Sequence, residues 1–88
     1  MKVLLRFRLE KPGYKRRYFE KQADIPEAAL EPHGSFRFTE GYTARIENVN
    51  WDDSKNISVA NLSIHAVEPD YSGYIEHLSS SGWKEVKE

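Results

Sequence analysis

An alternation of apolar and charged residues over residues 2–10, with Leu4 as the exception, constrains the fold of this chain most. Val3, Leu5, Phe7 and Leu9 occupy every second position, and most residues between them are charged. A period of two over this length is typical of a β-strand with one face buried and the other open to water. The sequence therefore predicts a half-buried strand over residues 2–10.

A turn signal follows this strand and predicts a hairpin. Residues 11–14 read Lys-Pro-Gly-Tyr, in which proline presets the backbone and glycine accepts the positive φ of a type II turn. Residues 14–22 then form a second strand. A two-residue loop sets Phe7 opposite Tyr18, whereas a three-residue loop sets Leu5 opposite Phe19, so the register stays open.

The remaining elements are shorter or less regular. Asp24, with proline two residues later, predicts at most two helical turns over residues 25–30. Further strands are predicted over residues 35–39, 42–51 and 57–67, and residues 84–88 either add an edge strand or fray.

Both long strands change their apolar face part-way. Ile46 and Val49 fall on opposite faces of one strand, and Val59 and Leu62 fall on opposite faces of the other. A bulge or a sharp coil explains such a break, and so does burial of one strand end on both faces. The sequence supports the two explanations about equally.

The best helix is predicted over residues 70–81. Tyr74 and Leu78 belong to one apolar stripe, Asp70 is the expected N-cap, and Gly82 suits a left-handed C-terminal residue. Because a single stripe buries a single face, the helix is expected to lie across a sheet.

These elements predict an α+β fold in one small domain, residues 1–88. We expect a strongly curled, five-stranded antiparallel sheet, a partial barrel, with one C-terminal helix packed on it. The expected core consists of Val3, Leu5, Phe7, Leu9, Phe36, Phe38, Ile46, Val59, Leu62, Ile64, Tyr74, Ile75, Leu78 and Trp83.

Charge is distributed very unevenly along the chain. Residues 1–22 contain eight basic and two acidic residues, a net charge of +6, whereas the other 66 residues carry a net charge of −7. The overall charge of −1 conceals this basic arm on an acidic body. Such asymmetry indicates electrostatic recognition of a partner.

Little in the sequence indicates catalysis. The chain has no cysteine, and His33, His65 and His77 have no ligand spacing. No glycine-rich phosphate loop or nucleophile elbow occurs. We therefore expect no enzyme activity, catalytic residue, metal, cofactor or small-molecule substrate.

The sequence also predicts a soluble cytoplasmic protein. The apolar run after Lys2 is interrupted by Arg6 and Arg8 before it reaches the length of a signal peptide, and no apolar stretch is long enough to span a membrane. The lack of disulfides fits a reducing compartment.

The hairpin is the candidate binding site, because it interleaves cations with aromatic rings. We expect a non-enzymatic interaction module, an adaptor or regulator, that docks the hairpin on an acidic protein surface, including that of a second copy.

The alternatives are single-stranded nucleic-acid binding and a weak metal-independent ribonuclease using His33, His65, Arg16 and Arg17. A further alternative is that the charged face of the hairpin is only solvated and binds no partner. The candidate partner-binding residues are Arg6, Arg8, Lys15, Arg16, Arg17, Tyr18 and Phe19.

Arg16 and Arg17 are expected to play different roles. Adjacent strand residues point to opposite faces, so one of the two lies on the face of Leu5 and Phe7 or at its rim. That arginine must reach an acidic partner or the sheet edge, because a buried unpaired guanidinium is costly. The other is expected to be available to a partner.

Overall fold

The computed structural model describes residues 2–26, 30–31, 33–38 and 42–86. Within these residues the chain forms six strands and one helix. In chain order they are β1 (Lys2–Glu10), β2 (Arg17–Asp24), β3 (Ser35–Arg37), β4 (Thr43–Asp52), β5 (Ile57–His65), α1 (Asp70–Ser80) and β6 (Lys84–Val86). The strands form one sheet in the order β3-β4-β5-β1-β2-β6.

The sheet is mixed. β1 pairs antiparallel with β2 and parallel with β5, and the remaining pairs are antiparallel. The prediction of a small, mostly β fold with one helix is confirmed. The prediction of a strongly curled, five-stranded antiparallel sheet is wrong, because β5 returns beside β1 in the same direction, β6 adds a sixth strand and the sheet is not curled.

One face of the sheet, the helix face, carries the core. The alternating residues of β1 that include Phe7 are at most 2% exposed, and Leu78 of α1 is fully buried. The rings of Phe7, Phe38 and Tyr74 lie with their centroids 5.1–6.3 Å apart. The other face, the open face, carries mostly polar side chains.

Most of the predicted core is confirmed. Ten predicted residues are buried: Val3, Leu5, Phe7, Leu9, Phe38, Ile46, Val59, Leu62, Tyr74 and Leu78. Phe36, Ile64, Ile75 and Trp83 are only partly buried. The prediction omitted Leu4, Phe19, Leu30, Ala44, Ala60 and Ala66, which are also buried.

The breaks in the two long strands have different causes. In β4 the register shifts between Ile46 and Asn48, so Glu47 is the extra residue of a bulge. β5 keeps a regular register, and its Val59 lies on the open face beside Leu4, where both are buried. Each of the two explanations therefore applies to one strand.

The hairpin has neither of the two registers considered. The predicted turn forms, with the Tyr14 amide donating to the Lys11 carbonyl oxygen at 3.1 Å and a φ of 82° at Gly13. Residues 15–16 then lengthen the loop, and Phe7 lies opposite Phe19. Phe19 is consequently on the helix face.

The N-terminus of α1 differs from the prediction, whereas its C-terminus agrees with it. Asp70 is its first residue and not its N-cap, since Pro69 holds that position without a side-chain bond. The predicted C-terminus is confirmed, because Gly82 has a φ of 82° and the Trp83 amide donates to the Leu78 carbonyl oxygen at 3.2 Å.

Two further sequence predictions concern residues near the gaps. The central part of the short helix predicted over residues 25–30 lies outside the described residues. The edge strand predicted near the C-terminus forms as β6, which pairs with β2. Within the described residues, no helix is long and apolar enough to cross a membrane.

Candidate functional site

The arginines of β1 are neutralised by acidic groups of the same chain. On the open face, Arg6 Nε lies 3.1 Å from Glu20 Oε2, and Arg8 Nη2 lies 2.6 Å from Glu47 Oε1. The same Glu47 oxygen accepts a hydrogen bond from Ser63 Oγ at 2.8 Å. Two of the predicted binding residues are therefore engaged within the protein.

Arg17 and Phe19 lie on the helix face. Arg17 donates from Nε and Nη2 to the two carboxylate oxygens of Glu85, at 2.8 and 2.7 Å. This hydrogen bonding raises the pKa of Arg17. Phe19 is 4% exposed, with the Arg17 guanidinium 5.5 Å from its ring centroid. Phe19 is therefore not available to a partner, and Arg17 is the inward arginine of its pair.

Three basic side chains lie around the Glu10 carboxylate on the open face. Its Oε1 lies 2.8 Å from Arg16 Nε, and its Oε2 lies 3.2 Å from His65 Nε2. Arg8 Nε is 3.5 Å from the same Oε2, but it is buried without a hydrogen bond among the described residues. Hydrogen bonding to Tyr18, followed by the charge of Glu10, raises the pKa of Arg16.

The loop end of the hairpin remains exposed. We call the surface formed by Tyr14, Lys15, Arg16, His65 and Val67 the hairpin end. Tyr14 and Val67 are 64% and 60% exposed, and the side chains of Arg16 and His65 are 60% and 77% exposed. Among the described residues Lys15 has no acidic partner.

Contacts of Lys11 and Glu10 hold this surface together. Lys11 Nζ lies 4.2 Å from the ring centroid of Tyr14 and 3.4 Å from Glu68 Oε1, next to Val67. The Ala66 amide donates to the Glu10 carbonyl oxygen at 2.9 Å. The hairpin loop and the segment after β5 therefore form one end of the sheet.

A polar cleft adjoins the hairpin end on the open face. It has a volume of about 390 Å³, and Arg8, Glu10, Arg45, Glu47 and His65 are among its lining residues. The cleft therefore combines two carboxylates with two guanidinium groups and one imidazole.

The structure separates most of the site residues predicted from the sequence. Of the four residues of the ribonuclease alternative, Arg16 and His65 share Glu10, whereas Arg17 lies on the helix face. His33 donates its amide to the Ile46 carbonyl oxygen, at the β3 side of the sheet. Tyr14 is not among the residues predicted from the sequence, although an aromatic ring in a turn is a signal that could have identified it.

The described residues contain no group of three or more His, Asp or Glu side chains arranged to hold a metal ion. The chain matches no protein-family model, no curated protein and no solved structure, so its function is inferred from its own geometry.

Proposed function

We propose that this protein is a non-enzymatic interaction module, an adaptor or regulator in the cytoplasm, that docks its hairpin end on an acidic protein surface. One observation carries the proposal: Lys15 and Arg16 stay exposed beside two exposed apolar side chains, Tyr14 and Val67. Arg16 is itself paired with Glu10 but its side chain is 60% exposed, whereas the side chains of the paired Arg6, Arg8 and Arg17 are only 30–38% exposed.

The composition of the hairpin end suits a protein partner. Tyrosine and arginine are enriched where proteins bind each other, because they combine apolar area with hydrogen bonding. Exposed cations at the rim of an interface mainly accelerate association with an acidic partner and select against a basic one. Arg16 is held in place by Glu10, which reduces the entropy lost on binding.

A second copy of the chain is a poorer partner for this surface. Three acidic groups, Glu20, Glu47 and Glu85, already bind Arg6, Arg8 and Arg17 of their own chain. Intramolecular pairing therefore removes part of the charge complementarity that self-association would use.

Binding of a labelled peptide of alternating glutamate and leucine, followed by fluorescence anisotropy, tests the proposal. Lys15→Glu is expected to weaken binding about fivefold, the effect of losing one exposed ion pair. Lys55→Glu is the matched control, because Lys55 is an exposed lysine in the loop between β4 and β5, where no part of the hairpin end lies. Equal weakening by both variants would reject the hairpin end as the binding surface.

The same titration with a single-stranded oligo(dT) tests the nucleic-acid alternative. Four hairpin cations on phosphates would give a slope of log K against log salt near −3, from about −0.7 per phosphate. Because Arg6 and Arg8 are paired, we expect no oligo(dT) binding at about 50 mM salt. Tighter binding of oligo(dT) than of the peptide would replace the proposal by the nucleic-acid alternative.

One observation favours RNA cleavage as a second candidate function. Glu10 contacts His65 and Arg16 at the edge of the polar cleft, with Arg8 close by. Cleavage by the 2′-hydroxyl of RNA needs a base, an acid for the leaving oxygen and cations for the phosphate charge. Glu10 would be the base, His65 the acid, and the two arginines the cations.

Incubation of the protein with an RNA oligonucleotide distinguishes this candidate. Glu10→Gln and His65→Ala are expected to abolish cleavage. His33→Asn is the control, since His33 has a φ of 67° that asparagine tolerates and lies away from Glu10. A lack of cleavage by the unaltered protein rejects this function and leaves the docking proposal standing.

A further inference from the structure

A second cleft lies on the helix face, between the C-terminal end of α1 and strands β2 and β3. Its volume is about 430 Å³, which is in the usual range of small-molecule sites. Three aromatic side chains, Phe36, Phe38 and Trp83, form part of its wall. Aliphatic side chains from β1, β2 and the segment after β2 complete the apolar part.

The aromatic wall of the cleft is preorganised by contacts between its own rings. The rings of Phe36 and Phe38 meet edge to face, with centroids 5.2 Å apart and an interplanar angle of 78°. Phe38 and Trp83 meet similarly, at 5.5 Å and 60°. Phe38 is buried, whereas Phe36 and Trp83 are partly exposed and offer apolar surface to a ligand. Such rings favour a flat aromatic ligand, because aromatic pairs are stabilised by this geometry.

Two cationic side chains line the cleft, the exposed Arg37 and Lys21, and Lys21 is the one held at the apolar wall by a hydrogen bond. It lies on the helix face opposite Leu5, and its Nζ donates to the Ser81 carbonyl oxygen at 2.8 Å. An ammonium group has three donors, so this bond fixes Nζ at the cleft without using its full capacity. A cation fixed beside an apolar wall is what an amphipathic anion requires.

We propose that this cleft binds a small aromatic carboxylate, with its ring against Phe36 and Trp83 and its carboxylate at Lys21 Nζ. The partial negative charge at the C-terminus of α1 opposes an anion. Lys21 offsets that charge directly, since it binds the Ser81 carbonyl at this terminus. The sequence predicts no small-molecule substrate, and the residues that line this cleft are too far apart in the chain to form a recognisable motif.

Fluorescence of Trp83 tests the proposal. The chain has two tryptophans, and Trp51 is 58% exposed on β4, outside the cleft. In the Trp51→Phe variant, 2-naphthoate is expected to quench Trp83 saturably below about 1 mM, the affinity that a ligand of this size can reach. 2-Naphthalenemethanol, the uncharged counterpart, is expected to bind about tenfold more weakly, because it forms no charge-assisted hydrogen bond.

Variants of Lys21 assign the preference for the anion. Lys21→Met is expected to remove the tenfold difference between the two probes, and Lys21→Arg to keep it. Lys55→Met, at an exposed lysine in the loop between β4 and β5, is the control and should bind like the parent. Absence of saturable quenching in the Trp51→Phe variant overturns the proposal, and so does an equal affinity for both probes. That comparison requires no change at Lys21, so it decides the question even if Lys21→Met does not fold.

Discussion

Arg17 and Glu85 form a bidentate ion pair that joins the basic hairpin to strand β6. Nε and Nη2 of the guanidinium lie 2.8 and 2.7 Å from the two carboxylate oxygens, and the pair lies where β2 meets β6. Two parallel hydrogen bonds fix orientation as well as distance. Arg16, its neighbour, instead projects from the hairpin loop toward Glu10.

Charge reversal should therefore separate the two arginines. We expect Arg17→Glu to lower the free energy of unfolding by about 1–2 kcal/mol, because it removes the bidentate pair and opposes Glu85 with a like charge. Such a loss lowers the Tm by about 4–8 °C per kcal/mol in a domain of this size. Arg16→Glu is expected to lower the Tm much less, because its ion pair with Glu10 involves an arginine side chain that is 60% exposed and screened by water, and to weaken binding of the acidic peptide.

The double variant Arg17→Glu/Glu85→Arg is the control for this experiment. It restores opposite charges at the same two positions, so it should recover part of the lost Tm. If Arg16→Glu and Arg17→Glu had the same effect on both melting and peptide binding, the basic arm would be an undifferentiated charged surface.

Two helix residues should differ in how much they stabilise the fold. Leu78 is fully buried against the sheet, whereas Ile75 is only partly buried. Leu78→Ala is expected to cost about 2–5 kcal/mol, since it leaves a cavity. Ile75→Ala is expected to cost roughly 1–2 kcal/mol, because part of its side chain is already in water. Urea unfolding with an unchanged m-value measures both, and equal losses would show that the helix is docked differently.

Glu68 should make stability depend on acid pH. Its carboxylate accepts a hydrogen bond from Ser72 Oγ at 2.6 Å, and this bond, followed by Lys11, lowers its pKa. A pKa lowered by folding stabilises the protein near neutral pH, and the contribution is lost as the pH falls below about 4.5. Ser72→Ala is expected to raise the pKa of Glu68 in an NMR titration, while the exposed Ser79→Ala leaves it unchanged. An unchanged value in Ser72→Ala would contradict the assigned cause.

Local patterns predicted the elements of this fold well. The bounds of β1 agree with the alternating pattern residue for residue, because a strand half buried in the core must alternate. The C-terminus of α1 was predictable for a similar reason, since Gly82 adopts a φ that glycine tolerates best. Sheet order was not predictable, because the parallel pairing of β1 with β5 joins residues that are far apart in the chain, and no local pattern encodes it.

The candidate site was predictable only in its overall charge. The uneven charge distribution identified a basic arm, but the acidic groups that neutralise it are distant in sequence. The acidic partners lie far along the chain from their arginines, at separations of 14 positions for Arg6, 39 for Arg8 and 68 for Arg17. Such pairs depend on the sheet order, so sequence periodicity does not reveal which cations stay exposed.

Gly73 provides a test in which local and tertiary effects oppose each other. Replacing a helical glycine by alanine normally stabilises by about 1 kcal/mol. In this fold, however, a Cβ at Gly73 would overlap Tyr42 Oη and come within 3.2 Å of its Cζ. The Tyr42 ring cannot easily move away, because its centroid lies 4.7 Å from that of Tyr74 and 5.6 Å from that of His77.

We therefore expect Gly73→Ala to destabilise the protein by about 1–3 kcal/mol, the usual effect of overpacking, despite its better helix propensity. The Tyr42→Ala background is the control, because it removes the obstructing ring and leaves the helix sequence otherwise the same. There Gly73→Ala should stabilise by about 1 kcal/mol, so the sign of its effect reverses between the two backgrounds. Urea unfolding of the four proteins of this cycle measures the coupling. If Gly73→Ala stabilised both backgrounds equally, Tyr42 would not pack against the first turn of α1.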